Sequence, residues 1–580
     1  MRSVALFRRN DQHKQPAMFS SIYELPKKQL KRLEESWAGT FYREFFMRIE
    51  EDLFAVLYSD EPSRPNIPIN VLMGLEIMKS GFGWSDEELY DAFCYNMQVR
   101  YALGYRDLKE GHFELRTLYN FRSRITQYTQ RTGINLIEKT FEKVTDEQTK
   151  AFQLKTGKLR MDSTQIASNI REMSRLQLLV EVLQRVHRML REEDQDPCRG
   201  DFDPYLQGSS GQYVYRIRGE EVVDHLLPIG QLMQRLVEEL RDNYGNEPVY
   251  QMLVRVFHEH FTCDDDFRPR KGKELSAGSL QSPDDGEATY RRKGNQDHRG
   301  YVANLTETCD PDNKLQLINK VQVEPNTTED AAMLMEVLPD LIERTDVEQI
   351  HTDGGYGSPD VDEAMWKAKV EQIQTAIRGR KAAEERLGLE DFDWEMSKKG
   401  KPQKVICPHG QRVVVQPGRK KDRYLAYFDG EACRGCPFVD QCPTKPHKRK
   451  PRRVLRFSQR DVSVALRRKR NADARVAGKN LRAGAESTVR SVKHPFRNGK
   501  LPVRGKLRVS MMVITSAAMT NIRRIHGYEE KLREAGRKAK AIQKEWENAF
   551  KKSFLYFYSF LKRFVPGVFY SKLTSLWLPE

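Results

Sequence analysis

At 580 residues, with 39% hydrophobic and 31% charged side chains, the chain is long enough for several cores and has the composition of a globular protein, not a fibrous or disordered one. No run of 18 or more uncharged apolar residues is available to span a bilayer, and eight cysteines are too few for a disulfide framework. The net charge of +16 is concentrated: residues 441–510 hold 22 Lys+Arg against Asp461, Asp473 and Glu486, a net of +19, so the rest sums to about −3. Charge that dense in one segment points to a polyanion.

Residues 1–18 read as a tail. MRSVALFRRNDQHKQ is basic but has no apolar signal core, so a cytoplasmic, nucleoid-associated address is expected. Residues 19–150 are expected to be helical. An apolar stretch runs from Ile69 to Met78, Ser85 and Glu88 fit a capping box that opens a second helix, and a third starts near Thr117 in RTLYNFRSRI. Three helices ending in an Arg-bearing one, with Arg122 and Arg124, suit a helix-turn-helix DNA reader or a purely structural three-helix domain.

In 151–164, LKTGKLRMDST alternates as a strand ending at Asp162. Residues 165–290 form a mostly helical insertion. Leu176, Leu179, Leu183, Val186 and Leu190 repeat at +3/+4, as an internal packing face or a dimer seam would, and 264–300 is polar enough for a loop. In 291–380 the pattern predicts strands over YVANLTET and LQLINKVQVEP, then a helix, then VEQIHTD ending at Asp353 before Gly354-Gly355-Tyr356-Gly357, and a last strand in VEQIQTAIRG. The glycines let the backbone turn sharply, and Tyr356 is a core tyrosine or a base-stacking one. Residues 381–450 are a charged, Cys-rich insertion whose first part, 380–402, is expected to be partly helical. In 451–525, a helix over 479–495 carries Glu486, and VSMMVITSAAMTNI is apolar around most of its circumference, as a buried closing helix is. The tail, 526–580, is helical, with SFLYFYSFLKRFVPGVFYSKL reading as an amphipathic docking segment or a membrane-surface one.

Two-metal phosphoryl transfer needs about three carboxylates around ions about 3.5 to 4 Å apart. Asp162, Asp353 and Glu486 supply them, two at strand ends and one inside the basic segment. On a helix, Arg482 and Glu486 are i and i+4 and Lys493 returns to the same face; with Arg490 they are placed to grip phosphates. An ordinary helix ion pair between Arg482 and Glu486 is the competing reading.

These residues resemble the DDE transposases of bacterial insertion sequences. Arg482, Glu486 and Lys493 match the Arg, Glu and Lys of their Tyr-x2-Arg-x3-Glu-x6-Lys signature, with Lys479 in the tyrosine position. NVLMGLEIMKSGFGWSDEELYDAF and RTLYNFRSRI resemble the helical DNA-binding region, and TYRRKGNQDHRGYVANL and GKLRVSMMVITSAAMTNIRRI the core strand entry and closing helix. The resemblance spans about residues 20–525. It implies an α/β fold with a ribonuclease-H-like mixed-sheet core in which Asp162, Asp353 and Glu486 bind Mg²⁺ or Mn²⁺. It further implies cleavage of double-stranded DNA at element ends, 3′-OH strand transfer into a target, and a homodimer or higher oligomer on DNA. A non-catalytic DNA-binding protein on a transposase-derived scaffold, and a nuclease without strand transfer, are the alternatives.

Cys407, Cys433, Cys436 and Cys442 make a C-x25-C-x2-C-x5-C set that could hold structural Zn²⁺ in a ribbon, with His409 and His447 as substitutes. Unliganded thiols are the other reading. Cys94, Cys198, Cys263 and Cys309 are scattered singly.

Overall fold

The computed structural model describes residues 7–15, 20–58, 66–262, 267–375, 377, 386–397, 400–476 and 481–564, apart from the side chains of 197, 198, 474–476, 558 and 561–564. The chain divides into two units, Met1–Ile522 and Arg523–Glu580.

Among the described residues the first unit opens with the α-helices α1 Lys27–Glu34, α2 Trp37–Glu44, α3 Ile69–Phe82, α4 Asp86–Tyr95, α5 Met97–Ala102, α6 Arg116–Thr132 and α7 Leu136–Ala151. α3 is buried from Ile69 to Gly81 because its neighbours surround it, so it shows no polar stripe. The expected capping box opens α4: Ser85 Oγ accepts from Glu88 N at 3.1 Å and Glu88 Oε2 accepts from Ser85 N at 2.7 Å. α7 is fastened by charge to the rest of the unit, with Arg344 donating to Asp146 at 2.8 and 3.0 Å.

β1 Lys158–Ile166 comes next, succeeded by the helical insertion: α8 Arg175–Met189, α9 Glu192–Leu206, α10 Ser210–Tyr215, α11 Val222–Glu239, α12 Arg241–Tyr244 and α13 Pro248–His260. The seam residues Leu176, Leu179, Leu183, Val186 and Leu190 are all buried in a core that belongs to this insertion, so the +3/+4 repeat is an internal packing face. A two-strand ladder, β2 Phe261–Thr262 with β3 Arg268–Pro269, closes it.

The chain then returns through β4 Thr289–Lys293, β5 Gln296–Thr308, β6 Ile318–Pro325, α14 Asp330–Arg344, β7 Gln349–Thr352, α15 Pro359–Ala368 and β8 Glu371–Gln374. The segment expected to be a loop up to 300 therefore holds the β4–β5 hairpin; its polar residues face outward at the hairpin end, where the alternation signal is weak. The strands form one mixed sheet: β5 is antiparallel to β1, β4 and β6, while β7 is parallel to both β1 and β8. β1 lies in the middle, between β5 and β7.

A second, wholly antiparallel sheet is built from β9 Asp393–Met396, β10 Pro402–Ile406, β11 Arg412–Pro417, β12 Arg423–Asp429, β13 Lys445–Pro446 and β14 Arg452–Ser458, with α16 Gly430–Arg434 after β12. The expected helix in 380–402 is absent from its described part, which is a short 3₁₀ turn and β9. Pairing to β10 and burial of Phe392 override the local helix preference of charged residues. The first unit ends with α17 Gln459–Val476, α18 Ala485–Lys493 and the beginning of α19 Lys506–Phe564, whose Val509–Ile522 portion is buried at nearly every position. In the second unit the described residues are helical, and Leu532, Ile542, Trp546 and Phe550 are exposed along them. No described helix is long and apolar enough to cross a membrane.

Candidate active site

Asp162 lies inside β1, the central strand, which runs on to Ile166 and does not end at Asp162 as expected, because β5 pairs with it throughout; Ser163 N donates to Asp162 Oδ1 at 3.1 Å. Asp353 comes directly after the last residue of the parallel neighbour β7 and caps a 3₁₀ turn, accepting from Gly355 N at 2.7 Å. Parallel adjacent strands thus deliver both acids toward one edge of the sheet. Glu486 is the second residue of α18, and the turn before it, Leu481–Gly484, lies against β1 and β7.

Arg482, on that turn, ties the three acids together. Its Nη2 is 3.1 Å from Asp162 Oδ1 and its Nη1 is 3.9 Å from Glu486 Oε1. Burial opposes the guanidinium's charge, but Asp162 above all, then Asp353 and Glu486, outweigh it and hold its pKa above the ordinary value. Burial likewise pushes the Asp162 carboxyl up, against the pull of Arg482 and with a further push from Asp353. The two partners differ in setting: the Asp162 side chain is 11% exposed and that of Glu486 75%. Glu486 is therefore the solvent-facing member of the set.

The anchorage of α18 explains why Arg482 reaches in. Arg160, two residues before Asp162, donates to Leu481 O at 3.0 Å and to the buried Glu307 at 2.6 Å. Gly484 carries no side chain because a Cβ there would stand 2.1 Å from Arg160 Nη1. At the far end of α18, Lys493 Nζ donates to Gln165 O at 2.9 Å, and burial lowers its pKa. Arg490 projects from the same helix into solvent. Lys479 lies outside the described residues.

Sequence reasoning missed Asp330, the first residue of α14. A Cβ on Gly355 would sit 2.6 Å from Asp330 Oδ2 and 2.9 Å from Asp353 Oδ1, so the two carboxylates flank one backbone position. Asp330 Oδ1 is buried with no hydrogen-bond partner, as is Arg482 Nε. An acid at a helix N-terminus is so ordinary in sequence that nothing marked this one. Tyr356 is fully buried and donates to Asn304 Oδ1 at 2.7 Å, which is the packing role, not the stacking one.

The N-terminal arginines are differently placed. Arg122 is held between Glu76, at 2.7 Å, and Asp86, at 2.7 and 3.0 Å, so its guanidinium is engaged inside the domain. Arg124 is exposed and lies over the Tyr58 ring at 4.8 Å. In the basic segment several cations are also answered within the fold: Arg467 faces Asp362 at 3.6 Å, Arg468 meets Glu390 at 3.2 Å and Arg504 meets Asp284 at 3.5 Å.

Two family models match the chain: a transposase domain (DUF772) over residues 31–124, and a transposase DDE domain over residues 406–526. Both matches are to transposase domain families, the second of the DDE class. The first match covers most of the helical N-terminal region, and the second covers Glu486 with its basic surround, while Asp162 and Asp353 lie outside both. No curated protein and no solved structure matches the chain.

A divalent ion fits the chemistry of this donor set. Carboxylate oxygens are the ligands that Mg²⁺ and Mn²⁺ prefer, and the unpartnered Asp330 Oδ1 adds another beside Asp353. Among the described residues no three His, Cys, Asp or Glu side chains stand close enough together to hold a metal ion as they are. The Arg482 guanidinium occupies the ground between Asp162 and Glu486.

Proposed function

We propose that this transposase cuts double-stranded DNA at the ends of an insertion sequence and joins the freed 3′-OH to target DNA, with Asp162, Asp353 and Glu486 holding Mg²⁺ or Mn²⁺. What carries the reading is Arg482 in contact with both Asp162 and Glu486, beside Asp353. A sheet with β1 central and β7 parallel beside it supports a ribonuclease-H-like core.

The bound ions would activate the attacking oxygen and neutralise charge at the leaving one. The chain does the rest. Arg482, 3.1 Å from Asp162, would offer its charge and its unpartnered Nε to the scissile phosphate. Lys493, docked on Gln165, and the exposed Arg490 hold flanking phosphates along the same helix. Arg124 is the N-terminal candidate for DNA contact, in a helix-turn-helix-like role for the 19–150 region, and Arg122 supports that region from inside. A homodimer or higher oligomer on DNA, in a cytoplasmic, nucleoid-associated setting, completes the reading.

The test is cleavage and strand transfer on DNA bearing the element's own ends, with Mg²⁺, comparing the native chain and Glu486→Gln. Loss of both reactions with DNA binding retained is expected. Equal activity in the variant would remove Glu486 from the site. A native chain that binds but never cuts would leave a DNA-binding protein on a transposase scaffold, and cutting without joining would leave a nuclease.

A further inference from the structure

The cysteine cluster takes no part in that chemistry, and the second sheet gathers it. β10 turns back at Cys407-Pro408-His409-Gly410, where Gly410 N donates to Cys407 O at 2.8 Å and Cys407 N to Gln411 O at 3.0 Å, so Cys407 stands at the tip of the β10–β11 hairpin. Cys433 and Cys436 close α16 in a second tight turn, with Cys436 N donating to Cys433 O at 3.3 Å. Cys442 comes soon after, its sulfur 3.2 Å from Thr444 Oγ1.

These four thiols, within a span of 36 residues in sequence, line one cavity of about 20 Å³, the room one water or one ion needs. Gln411 Nε2 donates to Cys433 Sγ at 3.4 Å and Arg453 also faces the cavity; burial pushes the Cys433 thiol up, against the pull of both. All four cysteines are free and partly exposed. Cys309 shows the contrast: it is buried away from the cluster, and burial pushes its thiol up to about 12. Ordinary core thiols resemble Cys309, not a ring of four around one small cavity.

We propose that Cys407, Cys433, Cys436 and Cys442 bind one Zn²⁺ as a closed, structural site. The thiols surround the cavity without yet being drawn to a common centre, so loading closes the two turns onto the ion at sulfur–metal distances of about 2.3 Å. Binding releases the thiol protons and adds its free energy to the order of the sheet. Its consequence lies next to it: Cys442 leads directly into Lys445, Lys448, Arg449 and Lys450, all exposed, and the ion fixes where that basic loop starts. The site is independent of the carboxylates.

The experiment is metal analysis of the full-length chain, together with the reactivity of its thiols toward a disulfide reagent and titration of the metal-free chain with Cd²⁺. Expected are one zinc per chain, four thiols shielded until a chelator is added, and thiolate-to-cadmium charge-transfer absorption that saturates at one ion. Cys436→Ser and Cys442→Ser should each lose the zinc, while Asp162→Asn keeps it, which separates this outcome from failure of the catalytic reading. Zinc retained in both cysteine variants would put the ion elsewhere. A metal-free native chain whose thiols stay reactive with added Zn²⁺, and which gives no cadmium absorption, would overturn the proposal even if the variants do not fold.

Discussion

The Thr488 hydroxyl donates to Glu307 Oε1 at 2.7 Å, two residues beyond Glu486 on the same helix. Glu307 is paired in register with Arg160 on the central strand, and its side chain is 1% exposed. The helix that carries the third acid is therefore pinned to the strand that carries the first through a buried carboxylate. Thr488→Val removes the donor and leaves Glu307 short of one bond, which should cost about 1 to 3 kcal/mol of stability. If the pin positions Glu486, cleavage falls further than stability explains while DNA affinity holds; urea melts beside a cleavage assay separate the two.

Gly484→Ala tests the same anchorage from the other side. The new methyl would meet the Arg160 guanidinium, itself held by Glu307 and Leu481 O. Displacing it should destabilise the chain by about 1 to 3 kcal/mol and weaken cleavage. Normal stability with normal activity would mean that Arg160 has room to move and fixes nothing.

Asp330→Asn keeps the shape of the side chain and removes its charge. Asp330 lies beside Asp353 with one buried oxygen unpartnered, so the variant should bind Mn²⁺ more weakly and recover cleavage as the metal concentration is raised. An unchanged metal dependence would leave Asp330 as a helix N-terminal acid worth about 0.3 to 1 kcal/mol.

Arg122 and Arg124 should part company. Arg122→Met takes their shared partner from Glu76 and Asp86, leaving Asp86 with Lys79 at 2.7 Å, and loss of one side of such a pair costs up to about 3 to 5 kcal/mol. Arg124→Ala, on the exposed face, should instead weaken DNA binding and flatten its salt dependence, leaving the melting curve nearly unchanged. The reverse pattern in filter binding and urea melts would exchange their roles.

Acid should loosen the fold through two histidines. Burial first, and nearby cations second, lower His260 and His351 to about 4. The unfolded chain takes up these protons near the ordinary value of 6.5 and the folded one does not, so stability is present above that pH. It is lost as the pH falls toward about 4, by at most roughly 3 kcal/mol for each group. Urea melts across that window should show the decline, and His260→Leu should flatten its share.

Legibility in the sequence depended on the kind of signal each residue left. The capping box at Ser85 and Glu88, the seam from Leu176 to Leu190 and the apolar Val509–Ile522 helix are local patterns, and local burial realised them. Asp162, Asp353 and Glu486 were readable as candidates because an expected strand end, a real one after β7 and a basic surround single them out; Asp162 instead lies inside β1, and Arg482 is the residue that links it to Glu486 in space. What escaped depends on partners outside the segment being read. β9 is a strand because β10 pairs with it, Arg122 is engaged because Glu76 and Asp86 reach it from α3 and α4, and Asp330 matters only because Asp353 ends a strand beside it. The pattern of a single segment carries no trace of such a partner.

The contact between Asp162 and Arg482 spans 320 residues of chain. β1 leaves the ribosome early and must wait, with the whole helical insertion folding on its own core in the meantime, before β5 arrives to pair with it. α18 emerges only near the end of the first unit. A polypeptide ended between Asp353 and Leu481 therefore holds two of the three candidate acids, but neither Glu486 nor the arginine that stands between Asp162 and Glu486.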